Sequence, residues 1–229
     1  MLQQTQVDRV IPKFQDFIAA FPTVTSLASA SLGEVLRLWS GLGYNRRAKF
    51  LHEAAKQAVA EFDAKIPASF EDLVRLPGVG PNTAGAILAY SFNQPVVFIE
   101  TNIRTVYFHH FFEDQEAVSD AELRAIAAET LDREHPREWY WALMDYGAFL
   151  KKQGVGRIQK SQHYKKQSPL KGSVREVRGL ILKELAMQDL DKVALQARLP
   201  QDERFDTALD ALMSEKMIQL TDDRLHLMR

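Results

Sequence analysis

Apolar positions fall at helical spacing along most of the chain. Val7, Val10, Ile11, Phe14, Phe17 and Ile18 recur every three to four residues and predict a first helix, although no capping residue precedes it. Pro22 to Leu38 reads as a turn and a second helix, with Leu32, Val35, Leu36 and Trp39 on one face. Gly41 and Gly43 break that pattern, and Lys49–Phe62 resumes it as an amphipathic helix ending before Ile66-Pro67. The stretch FEDLVRL closes a further helix. Pro77 then fixes φ, Gly78 and Gly80 permit positive φ, and Pro81 suits a first helical turn, so Thr83–Leu88 starts anew as a helix. The apolar run VVFI leads through Glu100 into a helix that begins at Thr101 and runs through Val106. Asp120–Leu131 and Trp139–Leu150 are two more helices, with Trp139, Trp141 and Phe149 expected in the core.

The last portion has a different texture. Ser173 with Glu176 three residues later forms a capping-box pattern ahead of Val177, Leu180, Ile181 and Leu185. Leu190–Leu199 and Phe205–Leu212 predict helices. Met217–Leu220 and Leu225–Leu227, parted by Asp222-Asp223, predict a small hairpin. Three helices and a two-stranded wing describe a winged helix, a module that binds DNA, binds protein, or only packs. The fold class expected is therefore all-α, with one minor β hairpin near the C-terminus.

Composition narrows the class. The chain has 229 residues, 46% hydrophobic, enough for one large or two small domains. Net charge is −1, which gives no global basic signature, but its distribution is uneven. Residues 1–150 carry 13 Lys/Arg against 19 Asp/Glu, residues 151–172 carry 7 against none, and residues 173–229 carry 9 against 11. The basic run from Lys151 and Lys152 to Lys171 is a candidate for phosphate contact or a solvated linker. There is no cysteine, which fits a reducing compartment and excludes disulfides and thiolate metal sites. No apolar run approaches the roughly 20 residues of a membrane span, and Leu2–Asp8 is too polar for a signal peptide.

Three stretches carry candidate chemistry. The glycine turn aims backbone N–H groups of Gly78, Val79, Gly80, Asn82 and Thr83 outward at a helix start, which suits an anion such as phosphate; a plain αα-hairpin has the same outline. Tyr44, beside two glycines and followed by Arg46 and Arg47, can wedge between bases while the arginines hold phosphates, or it can simply pack. Glu100 begins a helix, where an acid either offsets the dipole or serves chemistry. His109 and His110 are adjacent, face different sides of a helix, and make a poor metal pair.

The motifs LPGVGPNTAGAIL, MLQQTQV, GLGYNRRA and FIETNIRTV resemble, in order, those of the helix-hairpin-helix (HhH-GPD) DNA glycosylases related to endonuclease III, most closely the adenine DNA glycosylases of the MutY type. The resemblance covers about residues 1–150 and implies a two-lobed helical fold. It implies that the hairpin binds phosphate and that the glutamine-rich turn Gln3, Gln4, Thr5 lies at the lesion. It further implies that Tyr44 intercalates beside the damaged base and that the acid at Glu100, with Asn102 near it, sits close to the flipped nucleotide. A carboxylate there stabilises, or attacks, the oxocarbenium-like state formed as a base leaves.

Departures from the family accompany the likeness. Its aspartate is Glu100 here. Adenine-type members carry a general-acid glutamate two residues before the methionine matching Met1; the sequence starts after it, so that helix is expected to be clipped. The four cysteines of the family's iron–sulfur cluster have no counterpart in the run from Lys151, so no cluster and no other cofactor is expected. The larger guanine-reading domain of the MutY type is replaced by the winged-helix candidate. Asn82 stands where bifunctional relatives place a Schiff-base lysine, so strand cleavage is not expected. The chain is thus expected to comprise a glycosylase domain at 1–150, a basic linker at 151–172 and a winged helix at 173–229. It should act as a monomer, cytoplasmic and nucleoid-associated, on duplex DNA with a damaged or mismatched base, adenine foremost. The alternatives are a damage- or structure-specific DNA binder with little excision, and an adaptor that uses the winged helix.

Overall fold

A computed structural model describes residues 1–3, 5–115, 117–155, 169–200 and 202–228. Among these residues the chain forms α1 (Val7–Ala20), α2 (Val24–Ser29), α3 (Leu32–Trp39), α4 (Arg46–Glu61), α5 (Phe70–Leu73), α6 (Pro81–Phe92), α7 (Thr101–His110), α8 (Asp120–Thr130), α9 (Pro136–Lys152), α10 (Val174–Met187), α11 (Lys192–Ala197), α12 (Arg204–Ser214), β1 (Ile218–Thr221) and β2 (Arg224–Leu227). The expected all-helical class with one small hairpin is what the structure shows. Packing groups the chain into two compact units: Met1–Ile66 with Ser168–Arg229, and Pro67–Gln167.

In the first unit the helix expected over Pro22–Leu38 is two. Thr23 caps α2 through a reciprocal box with Ser26, and Ser31 caps α3 the same way with Glu34. A second box in mid-segment ends one helix and starts another, because both Ser31 backbone and side chain are committed to Glu34. α1 has no side-chain cap, as its sequence suggested, and buries only Val10 and Phe17; Val7, Ile11, Phe14 and Ile18 stay exposed. The core continues without a break from Val35, Leu36 and Trp39 to Val177, Ile181, Phe205, Leu212 and Leu225. Backbone contacts run the same way: Gly33 N–H donates to the Met228 carbonyl at 2.7 Å, and Arg37 Nε to Ala186 O at 3.1 Å. The antiparallel hairpin pairs Ile218 with Leu227 and Thr221 with Arg224, turning through Asp222 and Asp223, both at positive φ. Ser173 caps α10, but Glu176 reaches back to the N–H of Gly172 at 2.8 Å rather than to that of Ser173, so the expected box is displaced by one residue.

In the second unit Phe98, Ile103, Val106, Tyr107, Phe108, Leu123 and Tyr140 form the core. The run VVFI forms no strand. It is an irregular crossing with Phe98 and Ile99 buried and Val96 and Val97 partly so, pinned by Tyr140 Oη donating to Val96 O at 2.8 Å and by the Phe98 ring 4.2 Å from that of Tyr140. α9 starts at Pro136, earlier than expected, and buries Tyr140, Leu143, Gly147 and Leu150. That stripe corrects the aromatic assignment: Trp139 is partly buried, but Trp141 and Phe149 are 53% and 55% exposed, because they lie off the 140–143–147–150 face. α7 and α9 cross at Gly147, where an added Cβ would lie 2.1 Å from the Asn102 carbonyl oxygen and 2.6 Å from its carbon.

The glycines make a contrast that unfolding can read. Gly147→Ala should destabilise the protein by about 3 kcal/mol, because the obstacle is backbone and cannot swing away. Gly179→Ala, on α10 with open space around it, should stabilise by roughly 0.5–1 kcal/mol. Urea denaturation of both variants checks this; equal midpoints would show the crossing to be yielding.

Candidate functional site

The candidate residues fall into two groups, one in each unit. In Met1–Ile66 they gather on the turn Gly41–Tyr44. Gly41 and Gly43 have φ of 91° and 72°, and Tyr44, a bulky residue in the same left-handed region, has φ of 48°. Side chains from elsewhere in the unit take the carbonyls of this turn. Arg9 donates to Gly41 O, Thr5 Oγ1 to Leu42 O at 3.3 Å, and Trp39 Nε1 to Gly43 O at 3.0 Å. Arg47 ties the segments together, donating to the carbonyls of Gln3 at 2.7 Å and Met1 at 3.2 Å and to Thr5 Oγ1 at 3.3 Å. Its guanidinium lies over the rings of Trp39 and Tyr44 at 5.3 and 5.4 Å, and desolvation lowers its pKa. Arg47 is therefore engaged in ordering the turn. Arg46 projects, its side chain 64% exposed, over Phe50 and 3.9 Å from Glu215. Gln3 is exposed; Gln4 lies outside the described residues.

In Pro67–Gln167 the glycine turn is built as the sequence suggests. Gly78 has φ of 75°, Gly80 is the extended N-cap of α6, and Pro81 is its first residue. The first helical bond is Ala84 N–H to Gly80 O at 2.9 Å, so the N–H groups of Asn82 and Thr83 precede the ladder at the positive end of the helix. The N–H of Val79 is used, donating to Leu76 O. The exposed Asn82 side chain is engaged with its neighbours: Nδ2 donates to Ile99 O at 3.3 Å, and Oδ1 accepts from Arg124 Nη2 at 3.1 Å. Arg124 also donates to Val97 O. The hairpin thus holds the crossing that delivers Glu100.

Glu100 is the N-cap residue of α7 by backbone, yet its side chain makes no capping hydrogen bond. It is half-buried. Desolvation pushes its pKa above the ordinary glutamate range, against the Thr101 amide and the charge of Lys151, which both favour the ionised form. Burial together with the Glu100 charge pushes the Tyr90 phenol up to about 12, leaving a neutral hydroxyl. Asn102, the second residue of the helix, donates from Nδ2 to Met144 O at 3.2 Å and accepts at Oδ1 from Lys151 Nζ at 2.6 Å. Lys152 is exposed at the end of α9. The rest of the basic run lies largely outside the described residues. Sequence reasoning missed Tyr90 and Arg124; neither sits in a motif, and only the packing reveals them.

No thiolate is available for an iron–sulfur cluster, since the chain lacks cysteine, so its residues do not fit that group. Among the described residues no group of three or more His, Asp or Glu is placed to hold a metal, and no helix is long and apolar enough to cross a membrane.

A helix-hairpin-helix followed by a desolvated acid at a helix start matches known proteins. Residues 1–131 match the HhH-GPD superfamily of base excision DNA repair proteins, and the chain belongs to that family. Among curated relatives it is 42% identical over 111 residues to the adenine DNA glycosylase of Buchnera aphidicola subsp. Schizaphis graminum (strain Sg), covering 48% of this chain and 32% of that protein. It is 40% identical over 151 residues to that of Mycobacterium tuberculosis (strain CDC 1551 / Oshkosh), covering 65% and 50%, and 37% identical over 152 residues to that of Homo sapiens, covering 65% and 28%. The suspected MutY-type classification is supported by these relatives, of whose length the chain spans no more than half. Its fold is similar to a thermostable thymine-DNA glycosylase (TM-score 0.59, 21% identity, 64% of this chain and 69% of that). It is also similar to endonuclease III trapped in a covalent intermediate with DNA (TM-score 0.52, 20% identity, 73% of each).

Glu100 has a measurable cost. Its folded pKa lies above the unfolded value, so the fold binds this proton more tightly, and the associated stability is lost as pH rises through that interval. At neutral pH the charged carboxylate is destabilising. Glu100→Gln should therefore raise the thermal midpoint at neutral pH, and the gain should vanish in acid, where both side chains are neutral. Calorimetry across pH checks this, and a gain independent of pH would contradict it.

Proposed function

We propose that this chain binds duplex DNA, extrudes a damaged or mismatched base, and hydrolyses its N-glycosidic bond, with adenine as the base. The observation that carries the reading is Glu100: a half-buried acid at a helix start, held at a raised pKa and not spent on capping. As the C1′–N bond breaks, its electron pair leaves with the base, which takes up a proton. Water adds to C1′ and releases a proton. The Glu100 carboxylate offsets the positive charge of the sugar between these events, and Asn102 stands beside it. The N–H groups of Asn82 and Thr83, at the start of α6, hold a phosphate without reading sequence. Tyr44, kept in a strained conformation by a turn whose carbonyls are already bonded, intercalates beside the damaged base. Arg46 and Lys152 add phosphate contacts. With Asn82 in place of a lysine in the hairpin, the reaction stops at the abasic site, with no cofactor and with the protein as a monomer.

Single-turnover release of adenine from a duplex, opposite guanine or oxidised guanine, tests the reading. Glu100→Gln should lower the rate by roughly 10²–10³-fold and leave duplex affinity intact. Binding without any release would make the protein a structure-specific binder instead.

The anion site has its own test. Gly80 has ordinary φ and open space around it, so Gly80→Asp fits the fold while placing a carboxylate against the phosphate. Affinity should fall alike for unrelated duplexes, and each lost phosphate contact should flatten the plot of log K against log salt by roughly 0.9. A loss confined to one sequence would count against a phosphate site.

A further inference from the structure

The geometry points to Lys151 as a positioning residue of the acid site, one that clasps Asn102 and turns its positive charge toward Glu100, rather than as a contact to DNA phosphate. The inference rests on the reading of Glu100 as the carboxylate of the reaction.

Helix packing places this lysine. Gly147 lets α9 touch the first turn of α7 at Asn102. Lys151 lies four residues beyond Gly147, one helical turn along the same face, and so arrives beside the start of α7. Its Nζ donates to Asn102 Oδ1 at 2.6 Å, and Asn102 Nδ2 donates to the carbonyl of Met144, also on α9. An ammonium only donates, so the amide of Asn102 has one permitted orientation. The lysine keeps contact with solvent, yet packing around its ammonium lowers its pKa while Glu100 acts in the opposite sense.

The other charged groups do not compete. Arg104 on α7 is committed to Asp120 of α8 at 2.7 Å. Arg124 of α8 is spent on Asn82 and Val97 O. From α6, Tyr90 presents a neutral hydroxyl, and Asp145 of α9 acts on that phenol with the same sign as Glu100. Among the described residues Lys151 is the cation whose charge reaches the carboxylate. It favours the ionised form that burial disfavours, which is the form needed beside a developing cation.

Protein labelled with ¹³C at the glutamate side-chain carboxyl supplies the test. The Glu100 signal is identified by its loss in Glu100→Gln, and its titration is followed in the full chain, in Lys151→Met, Lys151→Gln, Lys151→Arg and Lys152→Met, with circular dichroism confirming each fold. The Glu100 midpoint should move to higher pH in Lys151→Met and in Lys151→Gln, which keeps a donor for Asn102 but no charge. It should return in Lys151→Arg and stay in place in Lys152→Met. The acidic limb of the pH profile for adenine release should move with it, upward in Lys151→Met. An unmoved Glu100 midpoint in both neutral variants overturns the inference. A moved midpoint with an unmoved acidic limb upholds the pairing and overturns the catalytic reading of Glu100 instead.

Discussion

The backbones of α7 and α9 touch at Gly147, and the acid site depends on that contact. With an added Cβ 2.1 Å from the Asn102 carbonyl oxygen, no side chain fits, so the helices approach as closely as helices can. Tyr140, Leu143 and Leu150 share the buried stripe with Gly147 and fix the rotation of α9. Once rotation and distance are set, Met144 O and Lys151, two turns apart on α9, both reach Asn102. Glu100 is delivered from the other side by the Val96–Ile99 crossing, held by Tyr140, Asn82 and Arg124. The carboxylate sits on packed helices and a pinned crossing, which restrains its position better than a free loop does.

The first unit solves a related problem by different means. An exposed turn that must present an aromatic side chain cannot rely on burial for order. Here order comes from hydrogen bonds: Arg9, Thr5 and Trp39 take three consecutive carbonyls, and Arg47 links the N-terminal turn to the rings of Trp39 and Tyr44. A non-glycine residue at positive φ costs free energy unless its surroundings hold it there. The two arginines of GLGYNRRA therefore part company. They are identical in sequence, but one helical step turns Arg47 into the unit and Arg46 out of it.

Periodicity and caps made most helices legible, because both are local. The Pro81 start and the Asp222-Asp223 turn need no tertiary information. The errors share a cause. Trp141 and Phe149 were assigned to the core by residue type, whereas exposure follows the face that Gly147 selects, and a glycine gives no hydrophobic signal. The exposed Val7, Ile11, Phe14 and Ile18 are the same case, for a helix has more apolar positions than its neighbours cover. The hairpin and the acid were visible as motifs, and the resemblance to glycosylases gave them roles. The contacts of Asn82 with the crossing, the neutral hydroxyl of Tyr90 and the reach of Lys151 were not visible. Each depends on a partner 10 to 49 residues away, meeting it only through the fold.

Beneath these details is a conflict at Glu100. A carboxylate that stabilises a cation works best where water is scarce, since the attraction is then least screened. The same scarcity raises its pKa and empties the charged state on which it depends. The first turn of a helix eases the conflict through its N–H groups, and a single cation eases it further without capturing the acid. A bidentate arginine would hold the carboxylate so well that little attraction remained for the sugar. Arg104 is near in sequence, but Asp120 occupies it. Lys151 spends its short hydrogen bond on Asn102 and acts on Glu100 through charge alone. An acid balanced in this way remains slightly unhappy in the fold. That residual cost is expected of a group kept for chemistry rather than for stability.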